Sequence, residues 1–120
     1  MSHYMPKHEP CFYAVRGNSH WTGPTNEKTV WDIEQPHRNE HHPTQKPVEC
    51  MSRAISNHAA QLILDLFLGS GTTLIAAEQL GRKCYGLELE PKYVDVIVRR
   101  WQKLTGQRAV NEATGELFPE

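Results

Sequence analysis

The chain has 120 residues, 13 of them basic and 14 acidic, and a formal net charge of −1. This length suffices for one domain that buries roughly two-thirds of its unfolded surface, and the balanced charge excludes a basic field over the whole molecule that would attract nucleic acid. Three widely spaced cysteines favour reduced thiols over a disulfide framework or a zinc site, and no apolar run has membrane-spanning length, so we expect a cytoplasmic protein with no membrane partner.

The first 42 residues form an irregular part of the chain. They contain six of the seven histidines and four prolines, with scattered asparagine and glycine. This composition predicts loops with short strands at about residues 11–15 and 29–33. Three histidines at the end of this part have the residue type of metal ligands: His37, His41 and His42. Because this stretch has no helical register and no second pair at zinc spacing, we expect no metal site.

Residues 43–106 are more regular and predict alternating helices and strands. We expect helices at about 47–59, 72–80 and 91–104, and strands at about 61–66 and 83–89. The first strand is short and mostly apolar, which favours a central parallel strand covered on both faces. In the third helix the basic residues, Arg100 among them, favour a solvated face. The polar residues 107–120 predict a loose tail.

A glycine loop, residues 67–71 (FLGSG), joins the first predicted strand to the second predicted helix. Gly69 and Gly71 allow the backbone to turn sharply and to approach a ligand closely. The helix that begins at Thr72 presents an N-terminus that attracts negative or polar groups. Glu88, at the end of the second strand, follows Gly71 by 17 residues, near the roughly 20-residue spacing that brings a carboxylate to a ribose. This order is typical of a nucleoside-cofactor half-site.

The same loop narrows the choice of cofactor. No lysine precedes Thr72, as a phosphate-binding P-loop requires. Leu74 occupies the position at which a dinucleotide fingerprint has a third small residue, and no cluster of arginine or lysine suits a pyrophosphate. S-adenosylmethionine, which carries adenosine without phosphate, fits these residues best.

Three segments carry a specific family resemblance. They are residues 42–49 (HPTQKPVE), 65–73 (DLFLGSGTT) and 85–94 (YGLELEPKYV). With these segments in this order, the chain resembles the C-terminal, cofactor-binding half of the DNA methyltransferases that modify adenine N6 or cytosine N4, in the subgroup whose catalytic motif precedes the cofactor motif. The resemblance implies an α/β, Rossmann-like S-adenosylmethionine-dependent methyltransferase fold, present as one incomplete domain. It also implies site-specific DNA methylation in a bacterial or phage restriction–modification system.

The resemblance further implies roles for individual residues. Glu88 would accept hydrogen bonds from the ribose hydroxyls and Asp65 from the methionyl ammonium, while Phe67 would lie beside the adenosine. The glycine loop would pass the methionyl part, with Ser70 and Thr72 bonding its carboxylate. The complete set of expected cofactor-binding residues, beginning with the segment that closes the pocket from the other side, is Thr44, Gln45, Lys46, Asp65, Phe67, Gly69, Ser70, Gly71, Thr72 and Glu88.

The family's catalytic motif, Asp-Pro-Pro-Tyr or a close relative, is absent, because the 120 residues contain no Pro-Pro pair. In the family this motif holds the amino group of a flipped-out base, so we assign no catalytic residue in this chain. The resemblance implies double-stranded DNA as a partner, with adenine N6 favoured over cytosine N4.

The expected incompleteness of the sheet implies a second kind of partner. A methyltransferase sheet has about seven strands and this chain supplies about four, which leaves an open edge. We therefore expect either a separate chain that carries the catalytic motif or a homodimer. Three alternatives stay open: a non-catalytic S-adenosylmethionine-binding module, an inactive methyltransferase fragment, and an unrelated nucleotide-binding Rossmann protein.

Overall fold

A computed structural model describes residues 3–34 and 45–120. The elements are α1 (Val48–Ser56), β1 (Leu62–Asp65), α2 (Thr72–Gln79), β2 (Lys83–Gly86) and α3 (Pro91–Thr105). Each of them coincides with a predicted helix or strand, and the predicted order is confirmed. β2 is shorter than the predicted strand because β1 ends at Asp65. Leu87 still donates its backbone N–H to Asp65 O at 2.9 Å, but in the described part of the chain no strand continues beside the residues that follow.

β1 and β2 form a parallel pair, which is the whole sheet in the described residues. α2 is the crossover between them, because parallel strands cannot be joined by a tight turn. One face of the pair packs against α1 and α2. There Ile63 and Cys84 contact the core, which consists of the buried side chains Ile55, Ala76 and Ala77.

The opposite face of the sheet is uncovered by any residue in the described ranges. Leu62, Leu64 and Tyr85 lie on this face and are 54%, 65% and 57% exposed. Leu66 continues the apolar surface beyond the end of β1. We name these four residues the open sheet face. The prediction of a strand covered on both faces is therefore wrong for the described chain, because α1 and α2 both pack on the other side.

Residues 3–34 run beside α1 without forming a strand. The strands predicted at 11–15 and 29–33 are wrong, because neither segment meets a backbone ladder within the described chain. The expected total of about four strands is likewise wrong, and two are observed among the described residues. The attachment to α1 includes main-chain hydrogen bonds instead, such as the one from Thr22 N to Asn57 O at 2.9 Å.

A polar cluster also fastens this N-terminal part to α1. Glu27 accepts hydrogen bonds from Arg53 Nε at 3.2 Å, from Arg53 Nη2, and from Asn57 Nδ2 at 3.1 Å. The Arg53 guanidinium lies over the Trp31 ring, 4.7 Å from its centroid. Hydrogen bonds from Arg53, and next from Asn57, lower the pKa of Glu27 from 4.5 to about 2.

The C-terminal residues 107–120 turn back onto α3 and are not loose, which corrects the prediction. A β-bridge joins Val110 to Leu117. Gln102 of α3 accepts a hydrogen bond from Ala109 N at 2.7 Å and donates one to Pro119 O at 3.1 Å. The polar composition does not predict this order. The backbone N–H and C=O groups of a polar segment can be fixed by hydrogen bonds to a helix side chain.

Substitution of Gly71 tests how tightly the glycine loop packs against α3. Gly71 has a φ of 88°, and an added Cβ would lie 2.9 Å from Ile97 Cγ1, whereas Gly81 has a φ of 68° and open space around it. We expect Gly71→Ala to lower the free energy of unfolding by about 3 kcal/mol, because overpacking adds to left-handed strain. The matched Gly81→Ala variant should lose about 1 kcal/mol from strain alone. Urea denaturation measures both, and equal losses would contradict the contact with Ile97.

The hydrogen bonds of Glu27 should make the free energy of unfolding depend on pH. Because folding lowers the pKa of Glu27 from 4.5 to about 2, its contribution is complete above pH 4.5 and is lost as the pH falls towards 2. We expect wild type to be more stable than Glu27→Gln at neutral pH, with the difference shrinking through that window. Chemical denaturation at a series of pH values measures it, with Glu112→Gln as the exposed control. A difference that stays constant from neutral pH to pH 2 would refute the assignment.

Candidate cofactor-binding site

A cavity of about 780 Å³ lies where the carboxyl ends of β1 and β2 meet the glycine loop. This is the edge at which open α/β sheets bind ligands, and the volume is that of a small-molecule site. The structure brings most of the sequence-predicted site residues together in its walls. These are Gln45, Lys46, Asp65, Phe67, Gly69, Ser70, Thr72 and Glu88.

The Glu88 carboxylate ties the glycine loop to the end of β2. Its Oε2 accepts a hydrogen bond from Gly69 N at 2.6 Å, and its Oε1 accepts one from Glu90 N at 3.1 Å. An ionised carboxylate has about four acceptor positions. Each oxygen of Glu88 therefore keeps acceptor capacity for a ligand hydroxyl, and the two backbone donors fix the orientation of the group.

Asp65 and Phe67 shape the mouth of the cavity. Asp65 Oδ1 accepts a hydrogen bond from Phe67 N at 2.9 Å, an Asx turn that directs the chain away from β1. The Phe67 ring is 88% exposed and also lines the cavity. Since the ring is not packed in the core, its apolar face is available to a flat ligand group.

Two hydroxyls join the glycine loop to the segment before α1. Ser70 Oγ donates to Gln45 Oε1 at 3.2 Å, and Thr72 Oγ1 donates to Lys46 O at 3.2 Å. Both hydroxyl-bearing residues are buried. The hydroxyl protons are committed to these contacts, whereas the backbone N–H groups at the start of α2 have no acceptor within the helix and can donate to a ligand.

The Lys46 side chain extends to the N-terminal part of the chain. Its ammonium pairs with the Glu9 carboxylate, and the two side chains are 44% and 68% exposed. An ion pair this exposed contributes at most about 1 kcal/mol. Lys46 is therefore held at the cavity wall mainly by its backbone, through the contact with Thr72.

Among the predicted site residues that the structure describes, Gly71 does not line the cavity. It lies behind the loop, where its backbone faces Ile97. The left-handed φ and the close approach of Ile97 in α3 are sufficient to require glycine at this position. Thr44 lies outside the described residues, as do His37, His41 and His42.

Arg100 is a site neighbour that sequence reasoning missed. Its Nη1 donates to Ser70 O at 2.8 Å, so the prediction of a solvated basic face is wrong for this residue. The available signal was its spacing from Ile97, because residues three apart share one face of a helix. Further cavity-lining residues that were not predicted are Met51, Leu66, Leu68, Thr73, Leu87, Leu89 and Tyr93.

The described residues, 3–34 and 45–120, offer neither a metal site nor a membrane span. No group of three or more histidine, cysteine, aspartate or glutamate side chains there has the arrangement needed to hold a metal ion. No helix in the same ranges combines the length and apolarity needed to cross a membrane.

The chain has a partial Rossmann-like fold with a site for a nucleoside-type ligand. This fold is defined by a strand, a glycine loop, a helix and a second strand that is followed by an acidic residue. Residues 7–99 match the DNA methylase family of N6/N4 methyltransferases. The chain belongs to this family. The match spans both the irregular N-terminal part and the cavity, so the family assignment does not rest on the glycine loop alone.

Individual relatives agree with this assignment. The chain is 36% identical to the type II methyltransferase M.Cfr9I of Citrobacter freundii over 104 residues, which are 82% of this chain and 34% of the relative. It is 46% identical to M2.MboI of Moraxella bovis over 66 residues, 53% of this chain and 24% of that protein. The crystal structure of an M1.HpyAVI–SAM complex superposes with a TM-score of 0.59 at 34% identity, covering 69% of this chain and 43% of that one. The chain thus spans about a third or less of these two curated relatives.

Proposed function

We propose that the chain is the S-adenosylmethionine-binding part of an amino-group DNA methyltransferase. The observation that carries the proposal is the Glu88 carboxylate, oriented by Gly69 N and Glu90 N at the carboxyl ends of two parallel strands. Its free acceptor capacity suits a ribose diol, and among the residues that the structure describes no basic side chain lines the cavity except Lys46, which is paired with Glu9. The similar M1.HpyAVI was crystallised with SAM, and the similar curated proteins are type II methyltransferases.

Each part of the ligand has a suitable group in the cavity. Glu88 accepts from the ribose hydroxyls, in charge-assisted hydrogen bonds stronger than neutral ones. Phe67 covers the adenosine, and Asp65 accepts from the methionyl ammonium. The backbone N–H groups at the start of α2 face the methionyl carboxylate, where the helix dipole favours an anion. Gln45 and Lys46 close the opposite wall.

The chain's contribution to methyl transfer is positioning. Bound S-adenosylmethionine supplies a methyl group on a sulfonium sulfur, which is a good leaving group. Fixing the ribose at Glu88 and the carboxylate at α2 sets the direction in which the methyl group points, and such fixing of reactants provides a large part of a catalysed rate. The groups that hold the base belong to an Asp-Pro-Pro-Tyr-type motif, which this sequence does not contain.

We propose double-stranded DNA as the substrate, with adenine N6 ahead of cytosine N4 as the methyl acceptor. The open sheet face is covered either by a separate chain, which would also carry the catalytic motif, or by a second copy of this chain, which would not supply that motif. Two observations support this: parallel sheets are normally buried on both sides, and the chain spans 34% and 24% of the two relatives. The second candidate is a module that binds S-adenosylmethionine without transferring its methyl group, favoured by the missing motif.

Calorimetric titration with S-adenosylmethionine tests the cofactor site. We expect binding in the micromolar range for wild type, and for Glu88→Ala an affinity at least about 10-fold lower, because hydrogen bonds to a charged acceptor are lost. Glu112→Ala, at an exposed position of the C-terminal turn, is the matched control and should bind as wild type does. Equal affinity for all three proteins would refute the role of Glu88, and no binding by wild type would refute an autonomous site.

A DNA methylation assay separates the two candidate functions. The chain is mixed with a polypeptide that carries an Asp-Pro-Pro-Tyr-type motif, and methyl transfer to double-stranded DNA is measured by mass spectrometry of the bases. N6-methyladenine that forms with both polypeptides present, and with neither one by itself, would support an enzyme assembled from the two. N4-methylcytosine would overturn the preference for adenine. Cofactor binding with no transfer in any mixture would favour the non-catalytic module.

Solution assembly tests the open sheet face. We expect the wild-type chain to self-associate at micromolar concentration, because contiguous exposed apolar surface drives association, and Leu64→Lys to be monomeric. Leu117→Lys is the matched control, since Leu117 is 55% exposed but lies away from the sheet. Sedimentation velocity measures all three. A wild-type chain that is monomeric and monodisperse would argue against the proposal.

A further inference from the structure

Arg100 reaches the glycine loop from behind, on the side away from the cavity. Its Nη1 lies 2.8 Å from Ser70 O, 3.3 Å from Ser70 Oγ and 3.5 Å from Thr72 Oγ1. Arg100 is partly buried, whereas Ser70 and Thr72 are only 4% and 6% exposed. One guanidinium nitrogen therefore serves three oxygens at the junction between the loop and α2.

The two hydroxyls in contact with Arg100 connect α3 with the segment before α1. Because Ser70 Oγ donates its proton to Gln45 Oε1 and Thr72 Oγ1 donates to Lys46 O, their lone pairs are free to accept from Arg100. Hydrogen bonds arranged in such a chain strengthen one another. Three stretches far apart in the sequence are thus held in one polar network, and two of them form walls of the cavity.

No carboxylate in the described ranges forms an ion pair with Arg100. The ion pairs found in the described residues involve Lys46, Arg53 and Arg108. Burial lowers the pKa of Arg100, which is the direction expected for a cation without a counter-charge. The N-terminus of α2, beside it, also carries positive partial charge. This corner of the site therefore favours an anion.

We propose that Arg100 is a positioning residue for the methionyl carboxylate of S-adenosylmethionine. It fixes Ser70 and Thr72, so that the first backbone N–H groups of α2 face the carboxylate, and its charge adds to the field at that point. The inference rests on the proposed function, because it assigns the carboxylate of that ligand to this corner. Arg100 does not line the cavity, so it acts through the loop and not by direct contact.

Two ligands distinguish this role from a general structural one. S-adenosylmethionine carries the carboxylate, whereas 5′-methylthioadenosine has the same adenosine and no amino-acid end. We expect Arg100→Met to weaken S-adenosylmethionine binding by about tenfold, because the loop loses its support and a positive charge near the carboxylate is removed, and to leave methylthioadenosine binding unchanged. Arg100→Lys should recover part of the loss. Arg99→Met, which alters the neighbouring arginine over the Phe118 ring, should bind as wild type does.

Equal weakening of both ligands would overturn the proposal in favour of a structural role, and unchanged binding of S-adenosylmethionine would overturn it outright. Amide hydrogen exchange of the ligand-free chain provides a readout independent of the cofactor. In Arg100→Met, exchange should be faster at residues 70–73 and unchanged in the C-terminal turn. Unaltered exchange at residues 70–73 would refute the positioning role. If wild type binds no S-adenosylmethionine, the proposed function fails, while the exchange result still decides whether Arg100 holds the loop.

Discussion

The hydrogen bond between Gly69 N and the Glu88 carboxylate is the contact on which the geometry of the site depends. Parallel pairing of β1 with β2 brings the carboxyl ends of both strands to one edge of the sheet. Two hydrogen bonds then link the glycine loop after β1 to the segment after β2: Leu68 N donates to Leu87 O at 2.9 Å, and Gly69 N donates to the Glu88 carboxylate at 2.6 Å. The carboxylate also lines the cavity and keeps acceptor capacity there. Structural restraint and ligand recognition thus reside in one group.

The glycine loop is held between opposite charges. Glu88 binds its backbone from the side of the sheet, and Arg100 binds it from the side of α3. Gly71 adds a steric limit, since Ile97 occupies the space that a side chain would need. A loop fixed on two sides has little conformational freedom left to lose when a ligand binds, which lowers the cost of binding.

Sequence reasoning succeeded where the signal is local. The order of strands and helices around the glycine loop, and the position of Glu88 after the second strand, follow from spacing and backbone preferences within a few residues, and the structure has this order. Sequence reasoning failed where the conformation of a segment depends on residues far away in the chain. The segment 11–15 has strand-forming residues but no neighbouring strand among the described residues, and the polar tail is ordered by Gln102. Arg100 belongs to a charged run, and only the packing of α3 on the loop shows which member faces inward.

The described residues meet the hydrogen-bonding needs of their buried polar groups but do not bury all of their apolar surface. The described residues leave no buried side-chain nitrogen or oxygen without a hydrogen-bond partner, and the cavity is built from the chain's own contacts. The open sheet face, in contrast, exposes more than half of Leu62, Leu64 and Tyr85, although parallel sheets normally bury both faces. The hydrogen bonds that shape a ligand site act over a few ångströms and can be made by neighbouring residues. Burial of the apolar face of a sheet, in contrast, needs a second layer of helices or strands packed on it. Geometry for holding a cofactor can therefore reside in a segment whose stability depends on further polypeptide. The two surfaces meet at Leu66, which belongs to the open sheet face and also lines the cavity. The hydrogen bonds of Glu88 are made within the chain, so a partner that covers Leu64 would stabilise the sheet while leaving those bonds in place.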